Sequence, residues 1–405
     1  MKSLLIICDG MGDRLIEGKT PLEVADKPNM DIIAREGING IMDTVRAGIR
    51  PGSDTAHLSL FGYDPFKVYT GRGPFEAYGA GLNLEKGDIA IRCNFATLKD
   101  GKIIDRRAGR DELGLEKLTN ELDGIEIDNV RIIFRRCKGH RAVLIFKGED
   151  LSSMISDTDP EELNVPPNKS TPLDGNTDSK RTAEILNKFT MMSQKILSDH
   201  EVNKERIKQG KLPANVVLAR GAGIKPELTS FENKYGIKGA CISATSLIIG
   251  VCRASGMDII EVEGATGHVD SDIIKKAEAT INALKHYDFV FLHIKGTDEA
   301  SHDGNFDLKK KMIERIDKEV IGPILDKVDL EDTTIVLTAD HSTPVGIRQH
   351  SADPVPIAIL GDVRTDSVKK FSERDCSKGG LNRICGRYLM DTILDLSDKA
   401  RLFGA

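Results

Sequence analysis

The sequence predicts an α/β fold: a mostly parallel sheet flanked by helices, with a smaller α+β domain inserted into it. Two observations carry this expectation. Short apolar runs recur at both ends of the 405-residue chain and alternate with amphipathic helical patterns in the C-terminal half. In between, the texture changes to paired strands joined by tight turns.

Residues 3–8 form an apolar run that stops at Asp9-Gly10, the pattern of a buried parallel strand ending at a functional loop. Residues 38–45 read as a second strand, followed by Arg50-Pro51-Gly52-Ser53 and a helical stretch. From 82 to 171 the strands pair as hairpins, 89–98 with 102–106 across Asp100-Gly101, and 130–137 with 141–146. A polar, proline-rich stretch at 152–176 reads as a linker or hinge. A long helix is expected over 177–209. Apolar strands then recur at 216–219, 289–294, 334–338 and 355–360, with helices at 246–254, 272–284 and 306–319. The expected division is a discontinuous core domain of residues 1–81 and 172–405 and an inserted domain of residues 82–171.

Composition narrows the function classes. Hydrophobic residues make up 40% and charged residues 30%, with a formal net charge of -6, which suits an ordinary globular chain and speaks against a nucleic-acid partner. An anionic substrate would therefore be held by a local arginine cluster or a metal. The seven cysteines are odd in number and include no C-x-x-C pair, so a disulfide framework and a thiolate zinc site are not expected. No apolar stretch approaches bilayer length and no cleavage signature follows the N-terminal run, so a cytoplasmic protein without a membrane partner is expected. A homo-oligomer stays open.

Four motifs place carboxylate or imidazole groups just beyond a predicted strand, where open α/β sheets build their sites. Asp9 follows the first strand, although an aspartate there can equally cap a helix. Asp298 and His302 in HIKGTDEASHDG are four residues apart, one helical turn, and can face one cation together. Asp340 and His341 in IVLTADHSTP point in different directions and can contact one ion or bridge two. His350 lies in the loop GIRQHSADPVP, where a lone histidine is commonly a surface residue. Oxygen and nitrogen donors without thiolates suit Mn, Zn or Mg better than a soft metal. Ser53 stands at a strand-to-helix turn, the address of an N-cap and also of a nucleophile facing the positive end of a helix. Beside two metals the nucleophile reading is favoured, since a metal-activated hydroxyl needs no general-base histidine.

Together LLIICDGMGDR, PGSDTAHLSLFGYDP, YTGRGPFEAYGAG, IRCNFATLKDGKIIDRRAGR, GTDEASHDG and TADHSTP resemble the archaeal-type cofactor-independent phosphoglycerate mutases of the alkaline phosphatase superfamily, over most of the chain. The resemblance implies that Asp9, Ser53, Asp340 and His341 hold one divalent ion (Mn, Zn, Mg or Co) and that Asp298, His302 and His350 hold the other. It implies a phosphoserine intermediate on Ser53 that interconverts 3-phosphoglycerate and 2-phosphoglycerate, a step of glycolysis and gluconeogenesis, without 2,3-bisphosphoglycerate. The inserted domain would act as a lid, and Arg92, Arg106, Arg107 and Arg110, with Arg72 and Arg220, would grip the substrate. His57 matches the family segment and is expected to support the Ser53 turn. The alternatives are a phosphomonoesterase or phosphonate hydrolase of the same superfamily, a phosphopentomutase or sulfatase relative, and an inactive regulatory protein on this fold.

Overall fold

The structure, a computed structural model, describes residues 1–402 and 404, and its strands fall into two groups along the chain. β1 (Lys2–Cys8) and β2 (Ile38–Asp43) come first. A second group follows: β3 (Ile89–Lys99), β4 (Lys102–Asp105), β5 (Glu126–Ile127), β6 (Val130–Arg136), β7 (Arg141–Lys147) and β8 (Val216–Ile224). β9 (Gly239–Ile242), β10 (Asp258–Ile259), β11 (Phe289–Ile294), β12 (Thr333–Thr338), β13 (Val355–Leu360) and β14 (Asn382–Cys385) complete the chain. The residues cluster into two units, Met1–Val68 with Leu228–Ala405, and Tyr69–Glu227.

The first unit holds an eight-stranded sheet in the order β10-β9-β11-β1-β12-β13-β2-β14. β10, β9, β11, β1 and β12 run parallel, while β13 is antiparallel to both β12 and β2. This is the predicted α/β class. β1, β11 and β12 are buried along nearly their whole lengths, because helices cover both faces and a parallel strand then has no solvent side. The consequence for the site is direct: β11, β1 and β12 are adjacent and parallel, so the residues just past Cys8, Ile294 and Thr338 emerge side by side at one edge.

The second unit is a sheet in the order β4-β3-β7-β6-β5, with β8 pairing antiparallel to β3. The predicted hairpin turn at Asp100-Gly101 is present, both residues having positive φ, 50° and 75°. One face of β3 packs Ile89, Ile91, Cys93 and Phe95 against Leu144 and Phe146 and against Leu186 and Phe189 of the helix Thr177–Ser198. Three expectations differ here. The unit spans Tyr69–Glu227 rather than residues 82–171, because the long helix and β8 complete its core. The helix itself is broken near His200, whose Nδ1 accepts from the Val202 N–H and caps a new helix, Glu201–Lys208. Residues 216–219 belong to β8 of this antiparallel sheet, not to the parallel one; a short apolar run cannot by itself declare its sheet partner.

Candidate active site

Asp9 lies one residue beyond β1, fully buried, and Gly10 turns the chain with φ 66° so that its N–H reaches Asp340 Oδ1 at 3.1 Å. A side chain at Gly10 would collide with Thr343 and Asp298, which keeps this turn a glycine. β11 delivers Lys295 and then the helix Gly296–His302, carrying Asp298 and His302 one turn apart. β12 delivers Asp340 and His341, both buried. Ser53 is the first residue of the helix Ser53–Leu60 after β2, with Gly52 in extended conformation at the cap position. Its Oγ lies 3.2 Å from His341 Nε2.

The imidazoles are oriented by what their Nδ1 atoms touch. His302 Nδ1 donates to the Arg348 carbonyl and His350 Nδ1 to the Pro51 carbonyl, each at 2.8 Å. A carbonyl only accepts, so in the neutral rings both Nε2 atoms carry lone pairs. They face Asp298 Oδ1 at 3.4 and 3.6 Å. Thr343 settles the third ring. Its hydroxyl donates to Asp298 Oδ1 at 3.0 Å and so accepts from His341 Nδ1 at 2.9 Å, leaving the Nε2 of His341 as a lone pair too. That atom faces Asp9 Oδ1 at 3.5 Å and Asp340 Oδ2 at 3.2 Å.

Lone pairs aimed at carboxylate oxygens repel unless a proton or a metal cation stands among them, and the hydrogen bond to Asp298 does raise the His302 pKa. Asp9 Oδ1 and Asp340 Oδ2 are moreover buried without a hydrogen-bond donor. Without a cation, burial and the neighbouring Asp9 carboxylate push Asp340 far above the usual carboxylate range. Three groups of donor atoms among the described residues each lie within 4.8 Å of one another: Asp9, Asp340 and His341; Asp298, His341 and His350; and His57, His293 and Asp340. All seven sequence candidates, Ser53 included, thus meet at one place. The grouping differs from the expected one in that His341 belongs to both of the first two sets, its ring stacked on His350 with centroids 3.5 Å apart, and Asp340 belongs to the first and the third.

Four further residues escaped the sequence reading. Lys295 Nζ contacts Asp9 Oδ2 at 3.0 Å and Asp298 Oδ2 at 2.5 Å; burial works against its charge, but the two carboxylates outweigh it and raise its pKa. His293, on β11, holds the same Asp9 oxygen at 3.0 Å and is itself oriented by Ser243. Thr343 is the third, and Lys309 the fourth, buried against Asp13 at 2.8 Å and the Gly12 and Thr343 carbonyls. A lysine directly after an apolar strand was a readable signal for Lys295. His57 does support the Ser53 turn, donating from Nδ1 to the Ser53 carbonyl at 2.6 Å; burial and His293 push its pKa down to about 3, so it stays neutral.

Of the six candidate arginines, all in the second unit, Arg72 and Arg92 converge on the buried carboxylate of Glu76, at 3.0 and 3.7 Å. Arg106 does not join them, because Asp159 takes its fork at 2.8 and 2.7 Å. Arg220 pairs with Glu161 and faces Arg92 across the β3–β8 ladder. Arg107 lies beside Arg110 and Arg106, whose charges join burial in lowering its pKa. Arg110 sits in a turn with φ 59°. Arg141 on β7, which the sequence did not single out, is close enough to press electrostatically on Arg92 and Glu76.

Fold and donor set together define a metalloenzyme, and the family model described as the metalloenzyme superfamily matches residues 1–396. The 2,3-bisphosphoglycerate-independent phosphoglycerate mutase 1 of Methanocaldococcus jannaschii is 50% identical, the match covering 100% of this chain and 99% of that protein. The protein of the same name from Methanothermobacter thermautotrophicus is also 50% identical, with full coverage of both. Among solved structures, a cofactor-independent phosphoglycerate mutase from Thermoplasma acidophilum has 39% identity and a TM-score of 0.69, covering 98% of this chain and 99% of that one. A Pyrococcus horikoshii protein has 42% identity and a TM-score of 0.87, covering 100% and 99%. The chain belongs to the 2,3-bisphosphoglycerate-independent phosphoglycerate mutase family of this superfamily.

Proposed function

We propose that this chain interconverts 3-phosphoglycerate and 2-phosphoglycerate without 2,3-bisphosphoglycerate, carrying the phosphoryl group on Ser53 between two transfers. The observation behind the reading is the convergence of Ser53 Oγ, three imidazole lone pairs and the unpartnered oxygens of Asp9 and Asp340. Asp9, Ser53, Asp340 and His341 would hold one divalent ion and Asp298, His302 and His350 a second, with His341 near both. Such ions would supply Lewis acidity, lowering the pKa of a hydroxyl and offsetting charge on the transferring phosphoryl. Manganese, zinc, magnesium and cobalt all suit the oxygen and nitrogen donors.

The chain's own residues do the rest. Gly52 and the first turn of the helix Ser53–Leu60 direct Ser53 Oγ toward His341, and His57 fixes the carbonyl of the same residue. The Ser53 Oγ–P bond forms as the C3 oxygen of glycerate leaves; in the second transfer the C2 oxygen takes the phosphoryl and Ser53 Oγ is the leaving group. The proton lost from Ser53 is thereby returned over a full cycle. Arg72, Arg92 and Arg220 of the second unit would hold substrate anions, since a guanidinium fork matches carboxylate and phosphate. No helix among the described residues is long and apolar enough to cross a membrane, and a cytoplasmic enzyme is part of this reading.

The test is to incubate metal-loaded protein with 3-phosphoglycerate and follow 2-phosphoglycerate and free phosphate together. The expected result is the isomer with little phosphate. Phosphate without the isomer would make the protein a phosphomonoesterase and refute the reading.

A further inference from the structure

One face of the second unit's sheet is apolar throughout, but the other is polar at its centre. There β3 carries Arg92 and Asn94, paired in register with Arg220 of β8 and Arg141 of β7. Apolar clusters flank this strip, Ala90, Val143 and Ile145 on one side and Ala96, Val216 and Leu218 on the other. Arg92 is 6% and Asn94 5% exposed, yet Arg92 Nε and Asn94 Oδ1 have no hydrogen-bond partner. Buried polar atoms left so are costly, and a bound water, ion or ligand group would satisfy them.

Glu76, 1% exposed, is the carboxylate placed under this strip. It lies in the first turn of the helix Gly73–Gly79, whose start is pressed against β3 so tightly that a Cβ on Gly73 would stand 2.0 Å from the Ala90 carbonyl oxygen. Gly71, with φ 136°, is likewise closed in by the Ala222 carbonyl. The helix therefore cannot slide, and Glu76 Oε1 is held where Arg72 Nε and Arg92 Nε both approach it. Four arginines gather here, with Glu76 paired to Arg72 and Arg92, the exposed Glu161 paired to Arg220, and Asp157 near enough to feel the Arg220 charge.

We propose that Glu76 is a positioning residue: it locks Arg72 and Arg92 so that, with Asn94 and Arg141, they receive one anionic group of the substrate. This rests on the phosphoglycerate mutase reading only for the identity of that substrate. Two opposing effects make the idea decidable. If Glu76 merely dilutes positive charge, removing its charge should tighten anion binding. If it positions the guanidinium groups, removing it should loosen binding in spite of the added positive charge.

The experiment uses full-length, metal-loaded protein and inorganic sulfate as the probe, titrated by calorimetry against wild type, Glu76→Gln, Arg92→Lys and the double variant. Each single change should weaken sulfate binding about tenfold, the scale of one lost charge-assisted hydrogen bond. With 3-phosphoglycerate, KM should rise more than kcat falls in Glu76→Gln, a split that a merely structural defect would not produce. The double variant should be no worse than either single one, since both remove the same arrangement. Glu76→Asp keeps the negative charge but withdraws it from both guanidinium groups, and decides the matter if Glu76→Gln folds poorly: it should also loosen sulfate binding, and unchanged binding would overturn the proposal. Unchanged or tighter sulfate binding in Glu76→Gln, or strictly additive losses in the double variant, would overturn the proposal. A wild type that makes no 2-phosphoglycerate would sink the mutase reading, while the sulfate series would still judge Glu76.

Discussion

The Ser53 hydroxyl oxygen stands 3.2 Å from Nε2 of His341, although 288 residues separate them in the chain. That nitrogen is a lone pair, because Thr343 fixes the other ring nitrogen as the donor. The Ser53 hydroxyl can therefore donate to it. In the proposed mechanism both atoms would instead give their lone pairs to one cation.

Ser53→Ala should abolish phosphoryl transfer while leaving metal binding measurable, since Asp9, Asp340 and His341 remain. Activity assays and metal titration by calorimetry check both halves. A variant that keeps transferring phosphate would remove Ser53 from the mechanism.

Thr343→Val should weaken metal binding about 10- to 100-fold, the usual effect of removing the group that orients a metal-binding imidazole. The substitution keeps the shape but leaves the buried His341 Nδ1–H and Asp298 Oδ1 without this partner, so the metal-free protein should also lose about 1–3 kcal/mol of stability. Equal metal affinity in the variant and the wild type would mean that the Thr343 hydroxyl does not set the His341 tautomer.

Lys295, its side chain 22% exposed, bridges Asp9 and Asp298 at 3.0 and 2.5 Å and offsets their charge when no metal is present. Lys295→Met should cost the metal-free protein about 3–5 kcal/mol, as expected for leaving buried carboxylates uncompensated. Saturating divalent metal should recover much of that loss. Denaturant melts with and without chelator read both states, and a loss of the same size in each would contradict the assignment.

Burial pushes the Glu373 carboxyl from an ordinary 4.5 up to about 7, although the Asp13 N–H and the Thr20 hydroxyl both donate to it. A carboxyl whose folded pKa is raised binds more protons when folded than when unfolded over that interval. Its contribution is complete below about pH 4.5 and is lost as pH rises toward 7, with a slope of at most about 1.4 kcal/mol per pH unit. The stability difference between Glu373→Gln and wild type should therefore shift in favour of the variant between these two pH values. A difference that stays flat there would show that Glu373 ionises normally.

Much of the site was readable because its ligands share an address. Asp9, Asp298, Asp340 and His341 follow apolar strands closely, and the rule that open parallel sheets build sites beyond strand ends gathered them before any contact was known. His302 came from its four-residue spacing to Asp298, and Ser53 from its place at a helix start. What could not be read depends on proximity between distant segments. Nothing local marks Thr343 as the link between His341 and Asp298, or Glu76 as the partner of Arg72 and Arg92. The strand Val216–Ile224 was misplaced for the same reason, since its apolar start fits either sheet and only its pairing with β3 decides.

The most direct measurement is to quench metal-loaded protein during turnover with 3-phosphoglycerate and map phosphorylated peptides by mass spectrometry. The mutase account predicts one phosphoryl group, on Ser53, that appears and decays with turnover and is absent in Ser53→Ala. Steady formation of 2-phosphoglycerate with no phosphate ever found on Ser53 would contradict it.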